Sequence, residues 1–172
     1  MPTNTSRRNG FTLVEVLVAL VVLSIGLLGI GKLVMFSSQA NDSAYMRSQA
    51  TALAYTILDD MRANQADATI NGFLYNVPTG AYANPGFTCD NASPCTGQGQ
   101  LAQYDLWTWK SALLATLPAG DGTVTTVASA DPITGNTIYL ATITVQWNDT
   151  VAQQSFGGGA APNMTVTLES QL

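Results

Sequence analysis

The chain has 172 residues, and 10% of them are charged, against about 25% in ordinary soluble domains. Eleven acidic residues outnumber six basic ones, which argues against a generic nucleic-acid binder, because such binding rests on clustered Lys and Arg. Histidine is absent, and with it go triads built on a His base, His-ligated zinc and imidazole proton shuttles. Two cysteines cannot build a disulfide scaffold, so the fold must rest on an apolar core.

The charge deficit is concentrated near the N-terminus. Met1–Gly10 is polar and carries Arg7 and Arg8, and the sixteen residues from Val16 to Gly31 are uncharged. From Phe11 to Lys32 is 21 steps, about 31 Å of helix, which matches a bilayer's hydrocarbon thickness of about 30 Å. The segment therefore reads as a membrane span. Arg7 and Arg8 place its N-terminal end in the cytoplasm, and the rest of the chain is then exported. A cleaved secretory signal is the competing reading, with Ser38-Gln39-Ala40 as its small-x-small site. The apolar run exceeds the usual signal core of about 7–15 residues, and the helical pattern continues through that site.

Glu15 stands one helical turn inside this apolar segment. A carboxylate there costs a few kcal/mol on insertion scales and points to a function. The plain alternative is a Glu reaching back to the cytoplasmic headgroups, only about 6 Å away along the helix.

Past the membrane segment the helical pattern persists. Met46, Ala50, Leu53, Ile57 and Met61 recur at steps of 4, 3, 4 and 4, with Ala54 and Leu58 beside them. Arg47, Ser48, Thr51, Asp59, Asp60 and Arg62 fall on the other faces. This amphipathic stripe needs a partner layer. No proline interrupts Phe11 through Val77, so a single helix from Phe11 to about Asn64 is expected. Gly26, Gly29 and Gly31 weaken it locally; close packing between membrane helices or local melting in an assembled state would each account for them.

A loop-rich stretch from Asn71 to Gly99 follows, with Pro78, Pro85 and Pro94. Cys89 and Cys95 have five residues between them, too many for a CxxC redox motif, and a lone pair makes a poor metal site. In an exported domain they read as a small-loop disulfide that pins the loop. Tyr104–Leu117 reads as a short second helix, with Leu106, Trp109, Leu113 and Leu117 on one stripe and Pro118 and Gly120 ending it. Trp107 lies off that stripe and reads as a partly buried packing residue rather than a ligand platform.

The last third is strand-like. In Thr137–Trp147 the apolar side chains occupy odd positions, and in Met164–Leu172 even ones. Thr123–Val127 is a weaker third strand. Asp131–Asn136 and the tract around Gly157–Gly159 supply turns. Three antiparallel strands with one apolar face need a cover, and the amphipathic half of the long helix offers it. The fold class is α+β.

Gly10-Phe11-Thr-Leu-Val-Glu15, after a short basic leader and before an apolar helix, resembles the class III signal of type IV pilins and pseudopilins. That resemblance implies cleavage by a prepilin peptidase between Gly10 and Phe11, with N-methylation of Phe11. It also implies the pilin-like architecture of one long helix on a small antiparallel sheet. The segments would be a leader over 1–10, a transmembrane half over 11–36 and an exported domain over 37–172. Cleavage exposes an α-amine that is largely cationic at neutral pH. Glu15 of one subunit can pair with it on a staggered neighbour, setting register more than adding stability.

The runs Glu15–Leu20, Ser24–Gly29, Arg47–Ala54 and Asp60–Asn64 resemble more narrowly the PilV group of minor pilins. Trp109–Gly122 extends that likeness, while the Cys loop and Gly157–Gly159 lie outside it. This resemblance implies a low-abundance structural subunit that helps start pilus assembly near the tip, with no enzymatic activity and no cofactor or metal. Twitching motility, adhesion and DNA uptake follow for the pilus as a whole. Its partners would be minor and major pilins, the peptidase, the inner-membrane assembly machinery and membrane lipid, without direct nucleic-acid binding. Its location would be the inner membrane and then the pilus. A minor pseudopilin of type II secretion shares the same N-terminus. A membrane-anchored enzyme finds no support in the adjacent Asp59 and Asp60, which point to different helix faces. Glu15 speaks against a passive anchor.

Overall fold

The computed structural model describes residues 12–90, 92–149 and 163–172. The Gly10–Phe11 junction and the Gly157–Gly159 tract lie outside the described residues. The elements in order are α1 (Leu13–Ala63), α2 (Gln65–Ala68), α3 (Gln100–Thr116), β1 (Asp121–Ala130), β2 (Thr137–Trp147) and β3 (Met164–Gln171). The chain divides into two compact units, Met1–Asn41 and Asp42–Leu172.

In the first unit, the large apolar side chains of α1 from Leu13 to Phe36 are all exposed. A surface this apolar has no stable place in water, and the helix is long and apolar enough to cross a membrane. Ser24 Oγ donates to the Leu20 carbonyl at 2.7 Å, which satisfies the one hydroxyl in the stretch from Leu13 to Phe36 within the helix's own backbone.

The second unit holds the core. Ala50, Ala54, Ile57, Leu58 and Met61 of α1 are buried, with Met46 and Leu53 partly so. The expected stripe is thus the one that packs. Asp60 departs from the expectation: it is half-buried rather than on an outer face. From α3 come Ala102, Leu106, Trp109 and Leu113, and Leu117 closes the helix end. Each such fully buried Leu or Ile contributes about 1.5–3 kcal/mol over an exposed one.

β1, β2 and β3 form one antiparallel sheet in that order. The register aligns Val124 with Ile143 and Gly122 with Val145, then Ile143 with Leu168 and Val145 with Val166. One face is therefore a continuous apolar layer, with Ala141, Ile143, Val145 and Trp147 fully buried. The opposite face carries Thr123, Thr125, Thr142, Thr144 and Thr167 toward solvent, as period-2 alternation requires.

Two boundaries differ from the sequence expectation. α3 begins at Gln100 rather than Tyr104, because Gly99 adopts φ 73° and its carbonyl accepts the Gln103 N–H at 3.0 Å. β1 runs from Asp121 to Ala130 rather than Thr123 to Val127; its outer end is paired to β2 yet stands clear of the core, so no apolar alternation marks it. The stretch from Asn71 to Gly99 is loop-rich as expected, but Val77 forms an antiparallel bridge to Val124 that shields the free edge of β1. The turn at Asp131–Asn136 forms as expected, with the Asp131 N–H donating to the Asn136 carbonyl at 2.8 Å.

Candidate functional site

The start of α1 carries the residues of greatest functional interest. Glu15 is exposed in the first turn and shares a shallow groove with Val16, Ala19, Leu20 and Leu23. Its backbone N–H donates to Thr12 Oγ1 at 3.3 Å and to the Thr12 carbonyl at 3.1 Å. Thr12 thus caps the helix, and Thr12-Leu-Val-Glu15 has the pattern of a capping box. An acidic side chain is also favoured here by the helix dipole. The T-x-x-E spacing thus suits Glu15 to the helix start as well as to any role between subunits. Gly10 and Phe11 lie outside the described residues.

Cys89 and Cys95 form a disulfide with Cα atoms 5.2 Å apart. Within the loop it closes, Asp90 Oδ1 accepts the Ala92 and Ser93 N–H groups at 2.9 and 2.7 Å. Preceding it, Asn84, Phe87 and Thr88 make a shallow groove with Trp107, whose ring rests half-buried 5.9 Å from that of Tyr104.

Three polar clusters inside the second unit had no sequence signal beyond isolated acidic residues and a lysine. In the first, buried Tyr75 donates its hydroxyl to Asp105 Oδ2 at 2.5 Å. Asp60 lies within electrostatic reach, and its pKa is pushed up to about 6 by burial, with repulsion from Asp105 and Asp59 adding to it. Burial also raises Asp105, against the opposing hydrogen bond from Tyr75, and burial raises the Tyr75 phenol as well.

In the second cluster, buried Asp67 accepts from Asn71 Nδ2 at 2.8 Å, Asn64 Nδ2 at 3.0 Å and the Gly99 N–H at 3.1 Å. The Asn71 bond is the main cause of its lowered pKa; burial opposes it, and Asn64 and Gly99 add to it. One carboxylate thereby ties α2 to the entrance of α3.

In the third, Lys110 Nζ donates to Asp121 Oδ1 and the Gly122 carbonyl at 2.6 Å each, and to the Pro78 and Gly80 carbonyls at 2.9 and 3.2 Å. Burial raises the Asp121 pKa, but the Lys110 bond and the Gly80 and Gly122 N–H groups outweigh it and leave the group lowered.

These clusters are joints between elements. Asp59 is exposed and 3.6 Å from Arg62, while Asp60 is half-buried, and both Asp105 and Asp59 lie close enough to help raise its pKa. Among the described residues, no group of three or more Asp, Glu or Cys side chains is placed to hold a metal ion.

Residues 5–31 match the family model described as a prokaryotic N-terminal methylation motif. The match covers the second half of the leader, Glu15 and most of the apolar segment. No curated protein and no solved structure matches the chain.

Proposed function

We propose that the chain is a minor pilin of the type IV pilus, a structural subunit that helps prime pilus assembly near the tip. The methylation motif over residues 5–31 carries this reading. It is supported by α1, which runs without a break from the exposed apolar turns after Leu13 into the buried stripe ending at Met61. A helix of that kind can serve first as a membrane anchor and then as the spine of an assembled subunit. The likeness of Glu15–Leu20, Ser24–Gly29, Arg47–Ala54 and Asp60–Asn64 to the PilV group supports the finer assignment.

On this reading prepilin peptidase cuts between Gly10 and Phe11, and Phe11 is N-methylated. The glycine leaves the backbone open to the protease because no Cβ intervenes. Residues 11–36 anchor the precursor once in the inner membrane with its N-terminus cytoplasmic. Residues 37–172 form the exported domain, which meets other minor and major pilins and the assembly machinery. Glu15 pairs with the Phe11 amine of a neighbouring subunit. A minor pseudopilin of type II secretion is the second reading, favoured by the same motif, which serves both assemblies.

The mature chain then has 172 − 10 = 162 residues and a formal side-chain charge of 4 − 11 = −7. Mass analysis of the isolated protein should find N-methylated Phe11 at its start. An N-terminus at Met1 or Asn41 would overturn the assignment. Co-purification with pilus minor pilins, rather than with secretion pseudopilins, separates the two readings.

A further inference from the structure

The turn that follows α2 carries an Asn-Gly pair, Asn71 and Gly72. Both residues are exposed, and a Cβ built on Gly72 would meet nothing within 4 Å. Gly72 holds φ 97° and Phe73 holds φ 57°, so the chain bends sharply here and the first of these positions suits glycine. Among the described residues, no group accepts the Gly72 N–H. The Gly72 nitrogen thus has neither a crowding side chain nor a hydrogen bond, and it directly follows a carboxamide. The other Asn-Gly pair, Asn9 and Gly10, lies outside the described residues.

The Asn71 carboxamide has a structural task. Its Nδ2 donates to Asp67 Oδ1 at 2.8 Å, the largest of the contacts that favour the Asp67 charge. Asn64 Nδ2 and the Gly99 N–H reach the other oxygen at 3.0 and 3.1 Å. Beyond the bend, the Leu74 N–H donates to the Asp67 carbonyl at 2.9 Å. One buried residue therefore pins the corner on both sides.

An amide side chain reacts slowly with water, but the backbone nitrogen of the next residue can reach its Cγ. A Cβ on that next residue ordinarily obstructs the approach, and Gly72 has none. We propose that Asn71 is a site of spontaneous modification in this protein, converted through a succinimide so that the Asp67 joint is unfastened. The Gly72 nitrogen bonds to Asn71 Cγ, the Cγ–Nδ2 bond breaks, and the Gly72 N–H proton leaves with the amide as ammonia. Water then opens the ring at either carbonyl, giving aspartate or isoaspartate at position 71.

Either product puts a second carboxylate where Asp67 had an N–H donor. A contact that favoured the Asp67 charge becomes one that opposes it, and Asn64 and Gly99 are left to hold a buried anion. Isoaspartate also lengthens the backbone by one carbon beside the bend at Gly72 and Phe73. The link from α2 to the entrance of α3 is weakened in both cases. All these residues lie in the second unit, apart from the methylation motif.

The test incubates the full chain in detergent, in warm and mildly alkaline buffer, and follows each asparagine by peptide mapping with isoaspartate detection. The peptide bearing Asn71 should convert at least about tenfold faster than the one bearing Asn136, which is equally exposed in a turn but precedes β-branched Thr137. Asn71→Gln should abolish the signal, because the longer side chain closes a larger ring far more slowly. Conversion of Asn71 no faster than that of Asn136 would overturn the assignment. Asn71→Asp supplies the first product outright. At neutral pH it should speed amide exchange of the Gly99 N–H about tenfold, as loss of one charge-assisted hydrogen bond implies. The difference should close in acid, where both carboxylates are protonated. Equal exchange at Gly99 in the variant and the native protein at neutral pH would show that the joint is not unfastened.

Discussion

Trp109 donates its indole N–H to the backbone carbonyl of Leu53 at 2.9 Å, tying α3 to α1 in the middle of the core. The far edge of the same ring lies against β1. A Cβ on Gly122 would fall 2.5 Å from Trp109 Cη2 and 2.9 Å from the Thr144 carbonyl. One side chain thus sets the spacing of helix, helix and sheet.

Trp109→Phe should cost about 2–3 kcal/mol, mostly through the cavity left by the larger ring, with the lost hydrogen bond adding less. Gly122→Ala should cost about 1–3 kcal/mol by overpacking. The double variant should cost less than the two singles combined, because the smaller ring gives back part of the space. Denaturant unfolding of the four proteins measures this. Strict additivity would show that the ring and the glycine are not coupled.

The acidic cluster gives the second unit an unusual pH response. Asp60 is raised to about 6 by burial and by its acidic neighbours, and Asp105 is raised by burial. A group raised in the fold contributes stability that is fully present below its unfolded pKa and is lost as pH climbs through the folded value. The Asp60 contribution is therefore complete below about pH 4 and gone above about pH 6. Asp67 and Asp121 are lowered and act oppositely, losing their contribution only as pH falls below the ordinary carboxylate range. Stability should peak in mild acid. Asp60→Asn should flatten the decline between pH 4 and 6 and raise stability at pH 7 by about 1 kcal/mol, after allowance for solvent screening of a half-buried group. An unchanged pH profile in that variant would assign the slope elsewhere.

What the sequence made legible followed from periodicity. The stripe from Met46 to Met61, the stripe from Leu106 to Leu117 and the odd-numbered face of β2 each repeat at a period that only one kind of element buries. The motif around Glu15 was legible because its residues are contiguous. Tyr75, Asp105, Lys110 and Asp121 were not, because their partners are set by tertiary contacts between segments 11 to 32 residues apart. Asp60 falls outside the apolar stripe in the helical pattern, and burial beside a second carboxylate leaves no mark in a linear pattern. The outer end of β1 escaped notice for the opposite reason: no face of it is buried.

The Cys89–Cys95 disulfide closes a loop of few residues, so its entropic contribution is about 2–3 kcal/mol at most and acts locally. Replacing both cysteines by serine should speed amide hydrogen exchange over residues 85–99. The protection of Ile57, Leu113 and Val145 in the core should not change. Loss of protection at those three positions would mean that the loop supports the whole unit.

Glu15 has two possible duties, and they can be separated. As the third residue after the Thr12 cap it supports the start of α1. As a carboxylate beside Val16, Ala19, Leu20 and Leu23 it is costly in lipid, and pairing with a Phe11 amine on a neighbouring subunit would repay that cost by setting register. Glu15→Gln keeps a side-chain oxygen that can complete the capping box but removes the charge; Glu15→Ala removes both. If pairing between subunits is the purpose, both variants should be inserted and cut normally, accumulate in the membrane and enter sheared pili at least about tenfold less than the native chain, as loss of one partly buried charge pair implies. If the helix start is the purpose, Glu15→Gln should enter pili as well as the native protein, and only Glu15→Ala should fail. The measurement is the ratio of pilus to membrane pools in cells lacking the native copy. Normal entry of Glu15→Gln would remove the charge pair from the account and leave the capping role standing.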